Sequence, residues 1–298
     1  MPVLNLQTID AAFINWNTSF QKAVKRVAPK YSQVAMIIPS STAENKYPWL
    51  DFTTKFNEWL NDRIIQTPSL NAFTIVNRHF ENTVGIDRDV LSDDVIGAFS
   101  PLFERLGEDA AAFPDRLVFP LLKNGFTNLC YDGQPFFSAA HASWDVNRNP
   151  ITVANMDNTG SGSWWYLLAT GGAVKPLVYQ QREPYEFVLL NRPTDINNFR
   201  EKNILCGVDG RSNAGYGPWW LAYASNQPPD STHYGNARAF FGSLYTPAGD
   251  PMEIEPDLLV HPPELEGQVK TTLEALMVTA TTNIWAGTAK SLKTAWIK

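Results

Sequence analysis

From Val95 to Leu121 the chain carries apolar residues at helical spacing. Val95, Phe99, Leu102, Leu106, Ala110, Phe113, Leu117 and Leu121 stand three or four positions apart, so they fall on one face of a helix. Asp93 and Asp94, just before the stripe, suit the positive end of the helix dipole. The stripe predicts a single helix of about 27 residues, or about 40 Å at 1.5 Å per residue. Pro101 sits near the first turn, where it is tolerable, but Pro114 and Pro120 are interior. Each lacks the N–H of a helical hydrogen bond and crowds the preceding turn, so a kink or break near residue 114 is expected. A helix this long needs apolar surface laid along its length, and the rest of the chain has to supply it.

A second amphipathic helix is expected over residues 9–27, where Ile9, Ala12, Phe13, Trp16, Phe20, Ala23, Val24 and Val27 recur at the same spacing. Lys22, Lys25 and Arg26 close it, as the negative end of the dipole favours. Its apolar face can serve the chain's own core or dock on a neighbouring subunit, and periodicity favours the first. Residues 72–90 alternate well enough for two strands, with Phe80, Val84 and Ile86 on one face. Between Val34 and Thr74 lies an excursion of about forty residues that is too polar for a core and unusually aromatic for a loop; excursions of that length tend to be functional. After residue 150 the texture changes to short apolar runs split by Gly and Pro: WWYLLA, KPLVYQ, EFVLL, ILCGV and WWLAYA. These read as strands of an α+β domain. LLVHPPELEGQVKTTLEALM reads as strand, turn and helix, with Pro263 at the first helical position.

Composition excludes several classes. A chain of 298 residues with 44% hydrophobic residues and ten Trp is ordered and can bury a core without staples. Its net charge of −6 argues against gripping nucleic acid through phosphates. Two cysteines do not make a disulfide framework and suit a reducing cytoplasm. MPVLNLQTIDAAF has neither the basic nor the apolar region of a secretion signal, and no run is long enough to span a membrane.

One stretch carries reactive residue types close together: CYDGQPFFSAAH, with Cys130, Asp132 and His141. A nucleophilic Cys needs a base and an electropositive setting, and catalytic partners are normally assembled from distant segments. Asp132-Gly133 is a strong turn pair, and the two phenylalanines after it re-enter the core. The expectation is a turn with a structural Cys130. No HxxxH or CxxC pair, GxxxxGK[ST] loop or GxSxG elbow occurs, so no metal, cofactor or catalytic site is predicted.

In order along the chain, FENTVGIDRDVLSDDVIGAFSPLFERLG (80–107), CYDGQPFFSAAH (130–141), GVDGRSNAGYGPWWLAYAS (207–225) and LLVHPPELE (258–266) resemble the major head (capsid) subunits of Mu-like tailed bacteriophages. The aromatic spacing of KFNEWLNDR (55–63) adds to the resemblance, which covers most of the chain. It implies an α+β fold of the Hong Kong-97 type. The parts would be an N-terminal arm (1–33), an extended loop (34–76), a peripheral domain (77–149) with a long, kinked spine helix at about 93–123, and an axial domain (150–298), some of whose strands return to the peripheral domain. It implies a shell subunit that forms hexamers and pentamers around double-stranded DNA held without sequence preference. Scaffolding protein and its protease, portal and a decoration protein would be its partners, with no membrane and no cofactor. Packing of the arm on a neighbour then becomes the better reading, and Phe13, Trp16, Phe20, Trp49, Phe52, Phe56 and Trp59 become the expected inter-subunit contacts. Lys46 and Lys55 fall in the loop, but no partner Asn or activating carboxylate is identified, so a crosslink is not expected. The rival readings are a cysteine hydrolase using Cys130 and His141, and another virion component such as a tail or decoration protein.

Overall fold

The computed structural model describes residues 6–47, 73–87, 89–90, 99–190, 203–278 and 281–298. Helix α1 (Leu6–Arg26) leads through a single helical turn, α2 (Tyr31–Val34), into strand β1 (Ala35–Pro39). Strands β2 (Glu44–Tyr47), β3 (Phe73–Val76) and β4 (Arg78–Asp87) precede the long helix α3 (Ser100–Asn124). Strands β5 (His141–Trp144), β6 (Pro150–Val153), β7 (Met156–Asp157), β8 (Trp165–Leu168), β9 (Leu177–Leu190), β10 (Asn203–Tyr216) and β11 (Ala222–Ser225) follow. Helix α4 (Ser231–Gly242), β12 (Leu258–His261), α5 (Glu266–Leu273), the small pair β13 (Met277–Val278) and β14 (Thr281–Thr282), and β15 (Lys290–Lys293) complete the chain.

Two sheets organise these elements. One has the order β1-β9-β10-β4, in which β9 and β10, each 14 residues long, are antiparallel partners and β1 joins β9 in parallel. The other has the order β15-β12-β8-β11-β7. Strand β10 alternates along most of its length, with Ile204, Cys206 and Val208 buried, as a sheet covered on one face must. Strands β8, β11 and β12 are buried at every position. That is why WYLL, AYAS and LLVH read as continuous runs rather than alternating ones.

Helix α3 supplies side chains to both cores. Phe103 and Leu106 join Trp16, Phe20, Ile86, Ile204, Cys206 and Val208 in one cluster. Val118, Phe119 and Leu122 join the larger cluster built on β8, β11 and β12. Helix α1 lies along α3, with Trp16 stacked on Phe103 at 4.7 Å between ring centroids. Burying side chains of that size stabilises by about 1.5–3 kcal/mol each. The approach is close because Gly107 has no side chain: a Cβ there would stand 2.5 Å from the backbone oxygen of Phe20. Around this seam Arg26 pairs with Glu104 and Glu108 at 3.4 and 2.7 Å, but these groups are exposed and add little. Asp115 accepts the backbone N–H groups of Lys30 and Tyr31 at 3.0 and 2.7 Å, which caps α2 and fixes the chain's exit from α1.

Three expectations are corrected. Helix α3 is not broken at residue 114; it runs through both Pro114 and Pro120. Packing overrides the two lost hydrogen bonds, since Pro114 is buried and Phe113 beside it contacts Phe80 at 4.8 Å and Tyr185 at 5.4 Å. The buried face is also turned by one position from the stripe read in the sequence. Phe103, Leu106, Gly107, Pro114, Val118, Phe119 and Leu122 are buried, whereas Leu102 is 39% exposed, because α1 covers one flank and the sheets the other. Finally, Ala35–Pro39, counted with the excursion at 34–76, is a strand of the first sheet, and Phe73–Val76 pairs with Glu44–Tyr47. The rest of that excursion, residues 48–72, lies outside the described residues.

Gly107→Ala should destabilise the subunit by about 1–3 kcal/mol through overpacking against the α1 backbone. A lowered thermal unfolding midpoint checks this; an unchanged midpoint would mean that α1 does not lie on α3 as described.

Candidate functional site

Helix α3 ends at Asn124, and the stretch that follows is folded by its own polar groups. The Cys130 N–H donates to the Gln134 carbonyl at 2.8 Å and the Gly133 N–H to the Cys130 carbonyl at 3.1 Å. Gly133 has φ of 78°, the left-handed conformation that glycine accepts without strain. Phe136 and Phe137 then enter the larger core at 0% and 1% exposure. Asn155, fully buried, accepts the Ser138 N–H at 2.9 Å and donates to the Phe136 carbonyl at 2.8 Å. CYDGQPFFSAAH is therefore the turn that carries the chain from the long helix through the larger core into the β5–β6 pair, as its Asp-Gly pair predicts.

The same turn brings three reactive groups together. The Cys130 thiol donates to Asp132 Oδ1 at 3.0 Å, and His141 Nδ1 lies 2.7 Å from Asp132 Oδ2. Cys130 and His141 are both buried. This is no arrangement for a nucleophile. The thiol faces a carboxylate rather than a base, and burial, reinforced by the hydrogen bond to Asp132, pushes it well above the usual thiol range. Burial alone would raise the Asp132 carboxyl; hydrogen bonds with His141, Cys130 and the Gln134 N–H outweigh it and hold the group below its usual range. Cys206, also buried, is pushed up to about 12. Neither cysteine is a thiolate at neutral pH, which removes the hydrolase reading.

The residues expected at subunit contacts divide in two. Phe13 and Phe20 stack on Phe187 at 5.2 and 5.3 Å, and Trp16 and Phe20 are 3% and 0% exposed within this one chain. Within this chain α3 and β9 already offer these two their aromatic surface. On the same helix Ile14 is left 64% exposed. Trp49, Phe52, Phe56 and Trp59 lie outside the described residues. What is described is the stem from which their segment leaves. Tyr47 Oη donates to Gln180 Oε1 at 2.6 Å, and Gln180 Nε2 donates to the Ile75 carbonyl at 3.2 Å. Gln180 is fully buried, so the β2–β3 pair is fastened to β9 by a satisfied polar link.

Sequence reasoning missed other bare apolar surface. Leu276, Met277 and Ile284 are 79%, 64% and 71% exposed around the β13–β14 pair. LEALM gave a helical stripe, and only the actual end of α5 at Leu273 shows that Leu276 leaves it. Among the described residues no helix is long and apolar enough to cross a membrane.

Comparison with known proteins agrees over nearly the whole chain. The family model described as Mu-like prophage major head subunit gpT matches residues 9–297. The major capsid protein of Escherichia phage Mu is 38% identical over 222 residues, 73% of each chain. The Mu-like prophage FluMu major head subunit of Haemophilus influenzae is 32% identical over 272 residues, 89% of this chain and 88% of that one. Among solved structures, the subunit of the bacteriophage JBD30 procapsid superposes with a TM-score of 0.86 at 34% identity, over 98% of this chain and 100% of that one. The JBD30 capsid subunit gives 0.79 at 26% identity, over 99% and 100%. These are structural head proteins with the Hong Kong-97-type α+β fold, whose subunits build capsid shells. The two sheets and the long helix shared by their cores are the parts such a subunit requires. The chain belongs to the family of Mu-like major head subunits and is a capsid protein of the virion shell.

Proposed function

We propose that the chain closes into hexamers and pentamers and that these build an icosahedral head around double-stranded DNA. The single observation that carries the reading is the likeness to the JBD30 procapsid subunit across 98% of the chain, because a fold kept end to end keeps the surfaces that join neighbours. The domain division follows the same reading: the first sheet with α1 and α3 forms the peripheral part, and the five-stranded sheet with α4 and α5 forms the axial part. Trp49, Phe52, Phe56 and Trp59 belong to an extended loop that lies on a neighbouring subunit, and the stem at Tyr47 holds its base. Ile14 on the arm and the Leu276, Met277 and Ile284 surface on the axial part are further places where a second copy gains apolar burial. Each large side chain covered there stabilises the contact by up to about 1.5–3 kcal/mol, repeated at every position of a closed shell.

Partners follow from the same role. A scaffolding protein with its protease shapes the shell, a portal occupies one vertex, and DNA fills the interior without tight contacts, as the net charge of −6 favours. A decoration protein is supported by a relative: the JBD30 capsid decorated with minor capsid protein trimers matches this chain with a TM-score of 0.75 at 27% identity.

The test is expression of the chain with its scaffolding protein, followed by size-exclusion chromatography with in-line X-ray scattering and electron microscopy. Closed particles of uniform geometry are expected. A compact monomer with a radius of gyration near about 19 Å at every concentration would overturn the reading. Tyr47→Phe should leave the buried Gln180 oxygen without its donor and cost about 1–3 kcal/mol, seen as a lower subunit unfolding midpoint and fewer closed particles. A subunit role also leaves the cysteines inert. Iodoacetamide at neutral pH should alkylate both at least about tenfold more slowly in the native protein than in the unfolded one, and rapid native labelling of Cys130 would restore the hydrolase reading.

A further inference from the structure

The turn after α3 and strand β5 bring the Cys130 sulfur, an Asp132 carboxylate oxygen and a His141 ring nitrogen within 4.8 Å of one another. The His141 ring is fully buried and held flat on Trp219, with centroids 4.2 Å apart and planes 4° apart. Both of its nitrogens face oxygen acceptors: Nδ1 is 2.7 Å from Asp132 Oδ2, and Nε2 is 3.3 Å from the Phe136 carbonyl. A neutral imidazole has a single N–H and can satisfy only one of the two. With that proton on Nδ1 the ring serves Asp132 while Asn155 serves the Phe136 carbonyl; with it on Nε2, the Nδ1 lone pair is available to a cation beside the Asp132 carboxylate.

We propose that Cys130, Asp132 and His141 form a Zn²⁺ site. A thiolate, a carboxylate and an imidazole are the donors zinc takes, whereas calcium and magnesium take oxygen. Zinc ligands at about 2.0–2.3 Å from a tetrahedral ion stand roughly 3.3–3.7 Å apart, so the contacts of 2.7 and 3.0 Å to Asp132 would lengthen and the widest separation, within 4.8 Å, would shorten. The Phe136 carbonyl is the outer partner that puts the ring proton on Nε2 and turns Nδ1 toward the metal. The fourth position lies on the Asp132 side, where that side chain is 18% exposed, and water fills it. Binding replaces the Cys130 S–H bond by a sulfur–zinc bond and releases one proton to solvent. The ion would tie the turn that leaves α3 to strand β5.

The experiment uses purified full-length protein treated with a chelator, dialysed, and then loaded with Zn²⁺ or Co²⁺. Expected are about one zinc per chain by elemental analysis after dialysis, a raised unfolding midpoint, and a thiolate-to-cobalt charge-transfer band with the strong visible bands of tetrahedral cobalt. Cys130→Ser should abolish the charge-transfer band and the retained zinc. Wild-type protein that retains no zinc and shows no thiolate–cobalt band would overturn the site. Zinc retained equally by Cys130→Ser would overturn it as well, by placing the ion elsewhere.

Discussion

The long helix α3 is shared between two cores, and the rest of the subunit is arranged around that sharing. Its first half is clamped by α1 and the sheet β1-β9-β10-β4 through Phe103 and Leu106, and its second half enters the larger cluster through Val118, Phe119 and Leu122. A single helix that is buried at both ends by different layers turns two small cores into one rigid unit, so strain on one sheet is felt by the other. This also explains how Pro114 and Pro120 are tolerated. The two missing backbone bonds cost less than the apolar surface that a break would expose.

That arrangement separates surface used inside the subunit from surface left for neighbours. Trp16 and Phe20 go to the chain's own core, and the polar link from Tyr47 through Gln180 to Ile75 fastens the β2–β3 pair to β9. Among the apolar side chains left bare are Ile14 and the Leu276, Met277 and Ile284 group. A shell subunit needs that division, with a stable interior that folds alone and weaker, repeated contacts that become strong only when the particle closes.

Much of this was legible in the sequence, for physical reasons that can be named. The stripe in α1 and the Asp-Gly turn before Phe136 and Phe137 follow from local spacing and backbone chemistry, which do not depend on distant contacts. The rotation of the buried face of α3 was not legible, because it is set by two flanking partners and by the close approach at Gly107. Nor could spacing reveal the Cys130–Asp132–His141 cluster as a unit. A Cys and a His eleven positions apart in sequence say nothing until the turn at Gly133 and the strand β5 fold them onto one carboxylate. Family resemblance named the shell role, whereas the destination of Trp16 and Phe20 required the packing itself.

The most direct test of the shared helix is a side-chain-resolution cryo-electron microscopy map of the assembled particle, traced continuously from α1 through α2 into β1. The account predicts that the α1 lying on each α3 belongs to the same chain, with Trp16 stacked on Phe103 and the backbone of Phe20 against Gly107. A trace that carries α1 across to the α3 of a neighbouring subunit would contradict it and would return Trp16 and Phe20 to the inter-subunit contacts.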